Sequence, residues 1–220
     1  MPMTDLALRP DDAFLVTDLQ YDFLPGGALA VPDGDAVIAP INALVKRFQR
    51  AGAHVLLTQD WHPPGHFSFA SSHEGKEPFA QVEMAYGPQI LWPDHCVQGT
   101  RGAEIVRNLE ADCAELVIRK GYNPAIDSYS AFREADHETM TGLAGYLRER
   151  GLRRVFLAGL ALDFCVFWSA RDAVEAGFET VLVTDACRAI DMDGSREKAL
   201  ADMREKGVVF CETGDILGNG

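Results

Sequence analysis

Short apolar runs alternate along the chain with segments whose apolar residues recur at helical spacing. Six runs are predicted as strands: residues 13–17, 54–58, 115–119, 154–158, 180–184 and 208–210. Helices are predicted at 37–48, 140–147, 163–176 and 196–206, where apolar positions are three or four apart. Continuously apolar strands separated by helices are typical of a parallel sheet that is covered on both faces. The pattern therefore predicts an α/β fold, a doubly wound and mostly parallel six-stranded sheet with helices on both faces.

One segment does not follow this pattern. Residues 61–100 are rich in Pro, Gly, His and Ser and show no sustained period. Loops of this length inside a compact domain are usually functional or disordered, and the aromatic and histidine content favours a functional loop. At about 150 residues per domain, the 220 residues are expected to form a single domain over 1–220, with an active-site loop at about 61–100.

The charge balance narrows the classes of partner. Lys plus Arg number 20 against 33 for Asp plus Glu, a net charge of −13, which disfavours nucleic acid and anionic membranes. The negative charge is more compatible with a small-molecule substrate than with either of these partners. Five widely spaced cysteines without a CxxC pair argue against a disulfide framework and a four-cysteine zinc site. The sequence shows neither a signal peptide nor an apolar run long enough to span a membrane, so a cytoplasmic protein is expected. The sequence leaves open whether the chain forms a homo-oligomer.

Candidate chemistry collects after the predicted strands. Ligands of such sheets bind beyond the carboxyl ends of the strands, where the sequence places Asp18, Asp60-Trp-His62, Lys120 and Cys165. Cys165 falls in the first turn of a predicted helix, where unpaired N–H groups favour a thiolate, and a nearby Lys120 would lower its pKa further. The alternative for Cys165 is a small buried hydrophobe. Asp18 is either a general base or a turn carboxylate, and Lys120 is either catalytic or a solvated surface charge.

A metal site is a second candidate feature. Asp60 and His62 are two residues apart, so both side chains face the same way in an extended chain. A carboxylate and an imidazole suit a divalent ion. His95, at the far end of the long loop, is a third candidate ligand, and His66 is an additional one.

Five motifs together resemble the nicotinamidases, a branch of the isochorismatase-like cysteine hydrolases. They occur in family order between about residues 13 and 190: Asp18-x-Gln20-x-Asp22-Phe23, Asp60-x-His62-Pro63 with His66-Phe67-Ser68, Trp92-Pro93-Asp94-His95-Cys96, Lys120-Gly121 and Gly159-Leu160-Ala161-Leu162-Asp163-Phe164-Cys165. The segment Asp127-Ser128-Tyr129-Ser130-Ala131-Phe132 resembles the bacterial version of a family loop.

The resemblance implies specific roles. The catalytic triad would be Asp18, Lys120 and Cys165, and the backbone amides of Ala161 and Cys165 would form the oxyanion hole. The Leu160–Ala161 peptide bond would be cis. One divalent metal ion, with zinc first and iron or manganese as alternatives, would be held by Asp60, His62 and His95, with His66 as a further candidate. Substrate-binding positions would be Phe23, Trp92, Tyr129 and Leu160, with Gln20 in support.

The implied activity is hydrolysis of nicotinamide to nicotinate and ammonia in NAD salvage, through a covalent thioester, with pyrazinamide as a further substrate. Two alternatives stay open at this point. One is another amidase of the same fold that acts on ureido or carbamoyl substrates, although such relatives lack the Asp-x-His and His metal set. The other is a catalytically inactive metal-binding module.

Overall fold

A six-stranded sheet forms the centre of the computed structural model, which describes residues 6–218. Its strands are β1 (Asp12–Thr17), β2 (His54–Asp60), β5 (Leu116–Lys120), β6 (Arg154–Gly159), β7 (Glu179–Cys187) and β8 (Val209–Cys211). Every strand pair in this sheet is parallel, and the strand order is β5-β2-β1-β6-β7-β8. The predicted fold class is confirmed.

Within residues 6–218, five α-helices connect and cover the strands. They are α1 (Ile38–Arg50), α2 (Leu143–Glu149), α3 (Phe167–Glu175), α4 (Ser195–Glu205) and α5 (Thr213–Leu217). α1 packs against α5, and α3 packs against α4. Among the helices of residues 6–218, none is long and apolar enough to cross a lipid bilayer.

The central strands are covered on both faces. All six residues of β1 and of β6 are buried. Because successive side chains of a strand point to opposite faces, this burial requires cover on each side of the sheet. On one side Phe48 of α1 stacks on Phe14 of β1, with ring centroids 4.9 Å apart, and meets Phe156 of β6 edge-on at 5.1 Å.

Three segments differ from the sequence prediction. The segment 61–100 contains a two-stranded antiparallel hairpin, β3 (Gln81–Met84) and β4 (Gly87–Ile90). Helix α2 begins at Leu143, so Met140 lies outside it and is 64% exposed. Met140 instead forms an isolated bridge with Arg133. The predicted helix 163–176 is divided into a π-helical turn, Leu162–Val166, followed by α3.

The chain changes direction within the sheet at β1. The strands that follow β1 in sequence extend to one side as β2 and β5, and β6 adds on the other side. A crevice for a ligand is expected at such a switch point, beyond the carboxyl ends of the strands. Gly159 ends β6 there at φ 122°, and a Cβ at this position would lie 2.1 Å from the Thr17 carbonyl oxygen. Only glycine lets these two strand ends approach so closely.

Candidate active site and metal centre

A buried ammonium group lies at the centre of the site. Lys120, the last residue of β5, is 1% exposed. Its Nζ lies 2.8 Å from Asp18 Oδ2 and 3.3 Å from Cys165 Sγ, and it also donates to Asp60 Oδ1 and, at 3.2 Å, to the Ser128 carbonyl oxygen. The Lys120 ammonium therefore joins the other two predicted triad residues to the predicted metal-ligand carboxylate.

Asp18 is held from two sides just beyond β1. Its backbone is left-handed at φ 47°, a conformation that aspartate tolerates better than most residues. The Asp18 amide donates to Thr58 Oγ1 at 3.0 Å, and the Thr58 hydroxyl donates back to Asp18 Oδ1 at 2.5 Å. Thr58 was not anticipated from the sequence, because a threonine in a strand carries no signal of which neighbour it contacts.

Burial changes the acid–base character of the triad. Burial raises the pKa of Cys165 well above its usual value, and this effect outweighs the opposing effect of Lys120. Lys120 lowers the pKa of Cys165 as expected, but the net direction is upward, contrary to the expected setting that favours a thiolate. Burial also raises the pKa of Asp18, against the opposing charge of Lys120. Desolvation alone would lower the pKa of Lys120, but Asp18 and Asp60 raise it, so Lys120 stays charged. The triad thus holds a thiol beside a carboxylate with increased proton affinity.

Cys165 lies in the π-helical turn rather than in the first turn of a regular helix. The amides of Phe164 and Val166 both donate to the Ala161 carbonyl oxygen at 3.1 Å. The Leu160–Ala161 peptide bond is cis, as the resemblance implied. The turn brings Ala161 and Cys165 to the wall of one cavity.

Asp163, the first residue of the predicted helix 163–176, does not cap the helix. The residue at the N-cap position of the turn is Ala161, and it makes no side-chain cap. The Asp163 carboxylate instead accepts hydrogen bonds from the amides of Ile190 and Asp191, at 3.0 and 2.8 Å, and from the Ser195 hydroxyl at 2.5 Å. Asp163 therefore ties the turn that carries Cys165 to the segment before α4.

Three buried side chains next to the triad form a candidate metal centre. Asp60, His62 and His95 present ligand atoms that all lie within 4.8 Å of one another. Asp60 Oδ2 is 3.7 Å from His62 Nε2 and 3.9 Å from His95 Nε2. Burial tends to raise the pKa of Asp60, but Lys120 and His62 outweigh it and hold the pKa well below the usual range. Asp60 is therefore an ionised carboxylate, the form that binds metal ions.

Hydrogen bonds set which nitrogen of each histidine is available. His62 Nδ1 donates to the Gly121 carbonyl oxygen and His95 Nδ1 to the Pro93 carbonyl oxygen, both at 2.9 Å. Such bonds fix the tautomer, so the Nε2 lone pairs face Asp60. Gly121 is itself required here, since a Cβ at its position would lie 2.4 Å from the His62 ring. The donor set fits a divalent ion of the zinc, iron or manganese type.

His66 has a different environment. Its Nε2 lies 2.8 Å from the Asn123 carbonyl oxygen and its Nδ1 2.8 Å from Ser68 Oγ. Because a carbonyl only accepts, Nε2 carries the proton and has no lone pair for a metal. His66 Nδ1 is left as the acceptor of the Ser68 hydroxyl. The structure thus places His66 beside His62, with ring centroids 4.5 Å apart, but engages both of its nitrogens.

Gln20 supports the metal-ligand strand. Its Nε2 donates to the carbonyl oxygens of Asp60 at 2.8 Å and Ala103 at 2.9 Å, and its Oε1 accepts from the Asp60 amide at 2.8 Å. A second support involves Asp22, whose Oδ2 accepts from the Cys96 amide at 2.7 Å. Cys96 follows His95 and has a left-handed backbone at φ 46°. The first contact fixes the backbone of the candidate ligand Asp60, and the second fixes the backbone of the residue next to His95.

An aromatic cavity opens above the triad and the metal centre. It is lined by Phe23, Leu29, Asp60, His62, Trp92, His95, Asp127, Tyr129, Ala161, Phe164, Cys165 and Ile190. Trp92 and Phe164 meet edge-on with ring centroids 4.9 Å apart, and Trp92 Nε1 donates to the Tyr129 hydroxyl at 3.0 Å. Leu160 is fully buried and does not line this cavity, where Ala161 takes its place. The lining suits a small planar aromatic ligand.

Comparisons with known proteins show the family of the chain. The isochorismatase domain matches residues 12–215. A nicotinamidase of Acinetobacter baylyi is 51% identical over 205 residues, which cover 93% of this chain and 94% of that protein. A solved nicotinamidase/pyrazinamidase of Acinetobacter baumanii has a TM-score of 0.91 and 52% identity, with 94% and 98% of the two chains covered. The pyrazinamidase of Pyrococcus horikoshii in complex with zinc has a TM-score of 0.76 and 38% identity, with 92% and 99% covered.

The chain therefore belongs to the isochorismatase-domain family of hydrolases. Within that family it groups with the nicotinamidases, the branch that the sequence motifs indicated, so the expected family is confirmed.

Proposed function

We propose that this chain hydrolyses nicotinamide to nicotinate and ammonia, with a covalent intermediate on Cys165. The observation that carries the proposal is the position of Lys120, whose ammonium group contacts Asp18, Cys165 and Asp60 at the floor of an aromatic cavity. The identity to named nicotinamidases supports the substrate. Pyrazinamide, a similar planar carboxamide, is proposed as a further substrate. The role in NAD salvage follows from the proposed product.

The acid–base roles follow from the contacts. Asp18 accepts the Cys165 thiol proton as the sulfur attacks the amide carbon, and Lys120 stabilises the resulting charges. The amides of Ala161 and Cys165 hold the oxyanion, where one such donor contributes about 3 kcal/mol. The carbon–nitrogen bond then breaks, Asp18 returns the proton to the departing ammonia, and a thioester is left. Asp18 next deprotonates a water, which cleaves the thioester to nicotinate and regenerates the thiol.

A divalent metal ion held by Asp60, His62 and His95 is part of the proposal. Zinc is the first candidate, since the pyrazinamidase of Pyrococcus horikoshii was solved with zinc, and iron or manganese suit the same donors. When bound, the ion would polarise the pyridine ring through its nitrogen. Phe23, Trp92 and Tyr129 line the cavity and would hold the orientation of the pyridine ring.

Ammonia release from nicotinamide tests the substrate. The metal-loaded protein is assayed in parallel with nicotinamide, pyrazinamide and an N-carbamoyl amino acid. Nicotinamide turnover well above that of the carbamoyl compound is expected. Turnover of the carbamoyl compound alone supports the other amidase class, and silence on all three compounds with zinc, iron and manganese supplied supports an inactive module. Either of these two results contradicts the proposal.

Substitution of Thr58 by valine tests the proposed base. Valine matches the shape of threonine but removes the hydroxyl that holds Asp18. A general base contributes roughly 10²–10⁴-fold to a rate, so misorienting Asp18 is expected to lower kcat about 10- to 100-fold with a smaller change in KM. Thr58→Ser keeps the hydroxyl and is expected to restore most of kcat. Steady-state kinetics of both variants provide the check, and a wild-type kcat in Thr58→Val refutes the role of Thr58.

Substitution of His95 by alanine tests the proposed ligand set. Loss of one of three protein ligands is expected to reduce bound metal from near one ion per chain to a small fraction after dialysis against limiting zinc. Elemental analysis of the protein measures this ratio. His73→Ala is the control, since His73 Nε2 donates to the Phe67 carbonyl oxygen and is not part of the trio. Equal metal content in His95→Ala and wild type removes His95 from the ligand set.

A further inference from the structure

Asp127 is a buried carboxylate in the cavity wall that the mechanism does not use. It lies in the segment after β5, is 2% exposed and lines the cavity beside His62 and Tyr129. Its Oδ2 accepts from Gln89 Nε2 at 2.9 Å, and its Oδ1 accepts from the Ser128 amide at 2.8 Å. Both donors are uncharged. Because a buried carboxylate is costly without a compensating positive charge, the side of Asp127 that faces the histidines needs an explanation.

The Asp127 carboxylate lies close to His62, one member of the metal centre. A carboxylate oxygen of Asp127 and ring nitrogens of His62 and His66 all lie within 4.8 Å of one another. The hydrogen bonds of His66 to Asn123 and Ser68 engage both of its nitrogens. His62 is likewise engaged, since its Nδ1 donates to the Gly121 carbonyl oxygen and its Nε2 faces Asp60. Asp127 is therefore connected to the candidate ligand set through its negative charge close to His62 rather than through a hydrogen bond.

The charges of the site give a second and independent argument. Asp18, Asp60 and Asp127 are three buried carboxylates, and Lys120 is the one buried ammonium group among them. In the form that binds a metal ion, with ionised carboxylates and neutral histidines, two negative charges remain uncompensated. A divalent cation at the Asp60, His62 and His95 trio cancels both charges, and without Asp127 the loaded site would carry a net positive charge.

We propose that Asp127 is a positioning residue of the metal centre, an outer carboxylate that raises the affinity of the Asp60, His62 and His95 trio for a divalent cation without replacing any of the three ligands. Gln89, on β4, orients this carboxylate and so connects the hairpin of the long loop to the metal centre. The inference rests on the proposed metal site.

Asp127→Asn tests the inference by zinc affinity, measured with a chromophoric chelator as competitor on metal-stripped protein. Loss of an outer partner typically weakens metal binding 10- to 100-fold, and a weakening in that range is expected, with saturation still at one ion per chain. Asp163→Asn is the matched control. Asp163 is 5% exposed and also accepts only from uncharged donors, but it is not part of the candidate metal group. Its zinc affinity is expected to equal that of wild type.

Thermal unfolding separates this role from a purely structural one. In the metal-free state Asp127→Asn removes one of the uncompensated negative charges, so its Tm is expected to be equal to or above that of metal-free wild type. The increase in Tm on zinc binding is expected to be smaller for the variant than for wild type, because its zinc affinity is lower. A merely structural role for Asp127 would lower Tm in both states and contradict the inference.

The remaining outcomes distinguish a failure of the proposed role of Asp127 from a failure of the proposed metal site. Unchanged zinc affinity in Asp127→Asn overturns the role of Asp127 while the trio stands, provided that His95→Ala has lost zinc. Wild-type zinc binding in His95→Ala overturns the proposed metal site itself. A loss of affinity in His66→Ala as large as in Asp127→Asn contradicts the outer role, because it places the ion among His62, His66 and Asp127.

Discussion

Replacing Cys165 with alanine is expected to lower kcat for nicotinamide by roughly 10⁴- to 10⁶-fold, the range seen when a covalent nucleophile is removed from a catalytic triad. The proposed mechanism forms its thioester at this sulfur, which lies 3.3 Å from Lys120 Nζ. Cys165 is one of the lining residues, but the aromatic walls Phe23, Trp92 and Tyr129 and the metal trio remain when the thiol is removed. Nicotinamide is therefore expected to bind Cys165→Ala with an affinity within a few-fold of the KM of wild type.

Ammonia release and equilibrium binding of nicotinamide measure the two effects separately. Cys113→Ala is the control, because Cys113 lies outside the cavity lining and its loss is expected to leave kcat unchanged. Turnover by Cys165→Ala at the wild-type rate excludes a covalent role for Cys165. If Cys165→Ala loses both nicotinamide binding and turnover, the role of Cys165 is to shape the cavity instead.

Replacing Lys120 with methionine is expected to remove activity and to destabilise the metal-free protein by about 3–5 kcal/mol. The reason is that Lys120 is the shared partner of Asp18 and Asp60, and breaking a buried ion pair leaves uncompensated charges behind. Urea unfolding of the metal-free protein measures the loss of unfolding free energy.

A double substitution tests the cause of this loss. In Lys120→Met with Asp18→Asn, one of the stranded carboxylates is also neutral, so part of the lost stability is expected to return. Activity stays absent, because both the base and its partner are missing. The contradicting result is that Asp18→Asn lowers the free energy of unfolding by the same amount in Lys120→Met as in wild type. The two side chains are then not energetically coupled, and the proposed charge network is incorrect.

The fold and the place of the site could be predicted from the sequence because both follow from local pattern. Continuous apolar runs such as 13–17 and 154–158 mark strands buried on both faces, and they lie within β1 and β6. Parallel strands bring their carboxyl ends to one edge. Residues that directly follow or end those strands, such as Asp18 and Lys120, therefore meet even though a hundred residues separate them.

Other features depend on long-range contacts that leave no periodic signal. Thr58 looks like any strand residue, and its role comes from the return hydrogen bond to Asp18. Asp163 begins the predicted helix 163–176, where a cap is common, but its carboxylate accepts hydrogen bonds from the amides of Ile190 and Asp191 instead. The degree of burial around Cys165 was likewise not readable from the sequence, and burial decides the direction of its pKa shift.

The most direct test of the proposed chemistry is rapid-quench mass spectrometry of the metal-loaded protein mixed with excess nicotinamide. A nicotinoyl thioester on the peptide that carries Cys165 is expected within the first turnover, with one equivalent of ammonia released before nicotinate appears. Nicotinate and ammonia that rise together, with no modified Cys165 at any quench time, would contradict covalent catalysis and point to direct attack by water.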